Sequence, residues 1–107
     1  MIVARFEQNK VELSGHAGYA PKGQDIVCAS VSALFGALVM SLDKYASKAY
    51  RSDIGADKSV IEWDFGLDAV GRLLIACFKD ALEDIESQYP ENVKVVVNDP
   101  MNMFKWS

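Results

Sequence analysis

The chain has one histidine, His16, and two cysteines, Cys28 and Cys77. His16 stands twelve positions before Cys28. An imidazole within hydrogen-bond reach of a thiol takes the thiol's proton, and the resulting thiolate attacks a carbonyl carbon. By composition alone this pairing is weak. It becomes informative through the elements that hold the two residues.

Ile2, Ala4 and Phe6 alternate with Val3, Arg5 and Glu7, and Val11, Leu13 and Gly15 alternate with Glu12, Ser14 and His16. Period-two alternation on either side of Gln8-Asn9-Lys10 predicts a β-hairpin that ends at His16. Ala17 to Gln24 contains Gly18, Pro21 and Gly23 without periodicity and reads as a mobile loop. Asp25 then opens a long helix. An Asp at the N-cap accepts the backbone N–H groups that the first turn leaves unpaired, so Cys28 falls in that first turn. The loop returns the chain so that His16 and Cys28 can face each other.

Three neighbours of Cys28 have expected supporting roles. The positive end of the helix and a protonated His16 both favour a thiolate, so the expected resting state is a thiolate–imidazolium pair. The backbone N–H groups of Val27 and Cys28 are candidates for an oxyanion hole, with Asp25 competing for one of them as cap. Ser32, four residues on, shares the helix face of Cys28 and could hydrogen-bond near the site; bonding back to its own helix is an equally good account.

Cys77 serves as an internal control, because its expected place is mid-helix on an apolar stripe, where a thiol acts as a small buried hydrophobe. Two Cys and one His so widely spaced form no zinc signature. Gly15, Gly18 and Gly23 lack the strand–loop–helix context and the Lys of a phosphate loop. The sequence therefore calls for no metal and no cofactor.

Farther along, two strand-like runs, about Ser52 to Ala56 and Ser59 to Phe65, join at Asp57-Lys58, with Ile61, Trp63 and Phe65 on one face. Leu67, Val70, Leu73, Leu74, Cys77, Phe78, Leu82 and Ile85 follow at helical spacing until Pro90, and Asn92 to Asn98 forms a last strand. The order ββαββαβ predicts an α+β fold: a mainly antiparallel sheet of about five strands with two long helices on one face. At 107 residues the chain is expected to be a single domain, 1–107. The apolar tail with Met101, Met103, Phe104 and Trp106 is expected to dock on its own core or on a partner subunit.

The formal charge of −4 disfavours direct nucleic-acid binding. Two distant cysteines and a strand-like start without a leader point to reduced thiols in the cytoplasm. Ile26 to Leu42 is apolar enough to raise the question of a membrane span. Its Ser, Gly and Cys residues, and the polar helical stretch Asp43 to Tyr50 that continues it, favour a packed central helix, with no membrane contact.

The run Gly15-His16-Ala17-Gly18-Tyr19-Ala20, then Gly23-Gln24-Asp25-Ile26-Val27-Cys28-Ala29, then Val31-Ser32-Ala33-Leu34, resembles without a gap the signature of the ribosomal-processing cysteine protease (Prp) family. The resemblance implies a nucleophile at Cys28 and a catalytic histidine at His16. It also implies a homodimer that removes the N-terminal extension of a large-subunit ribosomal protein, with the loop Ala17 to Gln24 as gate. Asp25, Asn9 and Asn98 remain unranked as partners for His16. Two rivals stand beside this reading: a non-catalytic ribosome-associated binding module, and another thiol enzyme such as a peroxidase or acyltransferase.

Overall fold

A computed structural model describes residues 1–21, 23–46, 50–64 and 67–100. The chain runs β1 (Ile2–Glu7), β2 (Lys10–Ser14), α1 (Ile26–Tyr45), β3 (Arg51–Ile54), β4 (Lys58–Glu62), α2 (Ala69–Gln88) and β5 (Val93–Val97). The five strands form one sheet in the order β3-β4-β2-β1-β5. All neighbours are antiparallel except β1 and β5, which run parallel. This is the α+β architecture, mostly antiparallel, that the ββαββαβ pattern predicts. The parallel pair follows from α2, which crosses the sheet and returns the chain in the direction of β1.

Register sorts the side chains between two faces. Ala4 pairs with Leu13 and with Val95, Phe6 with Val11, Val11 with Ile61, and Ile2 with Val93. Directly opposed residues share a face, so these apolar side chains line one side of the sheet. Val27, Val31, Phe35, Leu38 and Leu42 of α1 join the same core, as do Ile75, Phe78 and Leu82 of α2. Phe78 is the junction: its ring centroid lies 5.9 Å from that of Phe6 on the sheet and 6.0 Å from that of Phe35 on α1. The other face of the sheet carries polar residues such as Glu12, which pairs with Lys10 at 3.5 Å and Lys58 at 3.7 Å.

By length and composition α1 could cross a membrane. In the fold its buried residues recur at three- and four-residue spacing, Val27, Val31, Phe35, Leu38 and Leu42, so one stripe faces the core. The helix stops at Tyr45, short of the expected Tyr50, because Ala46 turns to extended backbone at ψ 146°.

On α2 the expected stripe splits in two. Gly71, Ile75, Ala76, Phe78 and Leu82 are buried, whereas Val70, Leu73 and Cys77 are exposed. At 100° per residue, Val70, Leu73 and Cys77 cluster on the side opposite Ile75 and Phe78. The helix is therefore apolar on both sides, and at Gly71 it approaches the Tyr50 hydroxyl, which sits where a Cβ would be. Cys77 is thus a surface thiol, a correction to its expected burial. The apolar tail and Phe65 lie outside the described residues.

Candidate active site

Strand β2 ends at Ser14, and Gly15 follows with φ 85°, in the left-handed region that favours glycine. His16 therefore stands just past the strand and not within it, as the alternation had suggested. A Cβ at Gly15 would run into the Met1 carbonyl oxygen. The chain has room to turn His16 off the sheet there only because this side chain is absent. Ala17 is buried at 1 % exposure, and the Asn92 side-chain amide donates to its carbonyl at 2.9 Å. The Tyr19 ring stands edge-on to Tyr89, with centroids 5.3 Å apart. The first part of the expected mobile loop is therefore anchored to the α2–β5 connection.

Asp25 caps α1 as the sequence predicts. Its Oδ1 accepts the Cys28 N–H at 2.9 Å, and its Oδ2 accepts the Tyr19 N–H at 3.0 Å and the Ala20 N–H at 3.4 Å. The Cys28 N–H above all, then those of Ala20, Tyr19 and Val27, hold the Asp25 carboxyl below the usual carboxylate range, against partial desolvation. One side chain thus fixes the helix start and the loop that leads to it. Of the two N–H groups expected at an oxyanion hole, that of Cys28 is engaged by Asp25. The Val27 side chain is buried in the core.

His16 and Cys28 line one open cleft of about 940 Å³, together with Asp25, Ser32, the loop residues Gly18, Ala20, Gly23 and Gln24, and Ala56 and Asp57. All the predicted residues except Val27 come together there. Cys28 is half-buried, whereas Ser32, one turn farther along, is exposed. A second cleft, of about 470 Å³, lies between α1 and β3 around Val39, Met40 and Ile54, and contains neither His16 nor Cys28.

The histidine's partner is Asp57, which the sequence did not single out: His16 Nε2 lies 2.9 Å from Asp57 Oδ1. Neither Asn9 nor Asn98 makes that contact; their carbonyl and N–H groups bond Trp63 and Phe6 instead. The only local signal at Asp57 was turn chemistry in Asp57-Lys58. What brings that turn to His16 is the pairing of β2 with β4, which sets Ser14 opposite Lys58.

A mixed five-stranded sheet backed by two helices, with a thiol at a helix start and an imidazole lining the same cleft, has the parts of a thiol hydrolase. The family model described as cysteine protease Prp matches residues 1–94, and the chain belongs to that family. It is 37 % identical over 93 residues to the ribosomal processing cysteine protease Prp of Bacillus subtilis, covering 81 % of this chain and 83 % of that one. The crystal structure of the ribosomal processing protease Prp from S. aureus with a covalently linked product peptide superposes with a TM-score of 0.84 at 23 % identity. That match spans 92 % of this chain and all of that one. SMU.848 from Streptococcus mutans gives a TM-score of 0.71 at 30 % identity over 92 % of this chain and 96 % of that one. Family membership makes the chain a cysteine protease, not a peroxidase, an acyltransferase or a binding module without catalysis.

Proposed function

We propose that Cys28 is the nucleophile and His16 the base of an endopeptidase that removes the N-terminal extension of a large-subunit ribosomal protein. The observation that carries the catalytic part is that His16 and Cys28, at the two ends of one loop, line the same cleft. Cys77, the other thiol, is on the exposed side of α2. The substrate part rests on the B. subtilis relative, which is named for ribosomal processing. An S. aureus Prp structure with a substrate peptide shares the fold. Ribosomal proteins are cationic and this chain carries −4, which favours their encounter.

The chemistry follows from the parts. His16 takes the Cys28 proton, and the thiolate attacks the last carbonyl of the extension. The C–N bond breaks, and the new amino terminus leaves with the proton from His16. Water then hydrolyses the thioester and releases the extension. With the Cys28 N–H engaged by Asp25, the oxyanion needs other donors; the Ser32 hydroxyl is within the cleft. The helix start stabilises negative charge on sulfur. The enzyme acts in the cytoplasm as a homodimer of single-domain subunits, without cofactor, metal, nucleic acid or membrane. Incubation with the N-terminally extended ribosomal protein, read by intact mass, tests the substrate. Wild type should release one N-terminal peptide, and an intact substrate would refute the assignment.

A further inference from the structure

We infer that Asp57 is the positioning residue of His16: it accepts the Nε2–H and so presents the other ring nitrogen, Nδ1, to Cys28. This rests on the reading of His16 and Cys28 as base and nucleophile. Asp57 is tied to the histidine's segment twice. Its side chain meets His16 Nε2 at 2.9 Å, and its carbonyl accepts the Gly15 N–H at 3.0 Å. The turn that holds it is closed by the Gly55 N–H, which donates to the Lys58 carbonyl at 3.0 Å. Backbone and side chain of one residue thus fix both the chain before His16 and the ring itself.

A neutral imidazole has one N–H, and an ionised carboxylate can only accept. Pairing with Asp57 therefore places the hydrogen on Nε2 and leaves the Nδ1 lone pair to take the Cys28 proton. Once that proton has moved, the ring is a cation beside a carboxylate, which stabilises it. Among the described residues, the titratable groups lining the cleft besides His16 are Asp57 from the turn, and Asp25 and Cys28 from the start of α1. Asp25 is engaged with backbone N–H groups, and the adjacent Lys58 pairs with Glu12. Asp57 is thus the carboxylate that acts on the ring.

In the free enzyme the pair is open to water, with side chains 63 % and 87 % exposed, and pairs of that kind add little to stability. A peptide lying in the cleft excludes water and strengthens the interaction. The consequence falls on catalysis rather than on folding.

The test compares Asp57→Ala, Asp57→Asn and, as a surface control, Asp53→Asn. For each, the alkylation rate of Cys28 by iodoacetamide across pH 5 to 9, located by peptide mapping, is read beside kcat and KM for cleavage. Asp57→Ala should move the acidic limb of the alkylation profile to higher pH and lower kcat at least about tenfold with KM little changed. Asp57→Asn should recover part of kcat, since its amide oxygen still accepts the Nε2–H. The control should match wild type. An Asp57→Ala profile and kcat within about twofold of wild type would overturn the inference, and so would equal losses in both Asp57 variants with an unmoved profile. If His16→Ala leaves the reactivity of Cys28 unchanged, the underlying base–nucleophile reading fails instead.

Discussion

The carboxylate of Asp25 accepts the backbone N–H of Cys28 at 2.9 Å while its other oxygen accepts the N–H groups of Tyr19 and Ala20. The residue that begins the helix therefore also closes the loop against it. The position of the thiol and the shape of the cleft depend on the same side chain.

That dependence has a pH signature. The folded-state pKa of Asp25 lies below the ordinary 3.8, chiefly because of the Cys28 N–H. Its stabilising contribution is therefore complete above pH 3.8 and is lost as the pH falls through the lower folded value. Asp25→Asn should lower the urea midpoint at pH 7 and shrink the difference in midpoint between pH 7 and pH 3. An undiminished difference would show that the carboxylate has no such role.

Gly15 and Gly18 both have positive φ, 85° and 68°, but only at Gly15 would a side chain meet backbone, the Met1 carbonyl oxygen. Gly18→Ala should cost about 1 kcal/mol from the left-handed conformation alone. Gly15→Ala should cost clearly more and displace His16, lowering activity as well as stability. Thermal unfolding of the pair checks the order, and equal costs would contradict the steric account.

The two cysteines differ in surroundings. Cys77 is exposed on α2, so Cys77→Ala should change stability by no more than about 0.5 kcal/mol and leave cleavage intact. Cys28→Ala should abolish cleavage. Comparable activity losses in the two variants would remove Cys28 from its special place.

Tyr50 packs edge-on to Trp63, with centroids 6.1 Å apart, and its hydroxyl donates to Asp68 Oδ1 at 3.5 Å. Desolvation first, then the Asp68 charge, push its pKa up to about 12. The folded state therefore keeps this proton longer than the unfolded chain. The contribution is complete below pH 10 and is lost as the pH rises toward 12. The tyrosinate absorbance of wild type minus that of Tyr50→Phe should titrate near the upper value. Titration near 10 would refute the burial argument.

Local chemistry was legible in the sequence. Alternation gave the first hairpin, and the Asp25 cap located the start of α1 and with it Cys28, because these features depend on nearby residues alone. Asp57 was not legible as the partner of His16, since the two are 41 positions apart and meet through the β2–β4 register. Cys77 was misplaced because α2 is apolar on two sides, and periodicity does not say which side the sheet covers. The engaged Cys28 N–H could be foreseen as competition but not as an outcome, because that requires the rotamer of Asp25.

The central claim is that Cys28 carries the acyl group. Acid quench of wild type during turnover of the extended ribosomal protein, followed by peptide mapping, tests it most directly. The account predicts the released extension attached to Cys28 as a thioester, with Cys77 unmodified. Cleavage that persists in Cys28→Ala, or an acyl group mapped to any other residue, would contradict it.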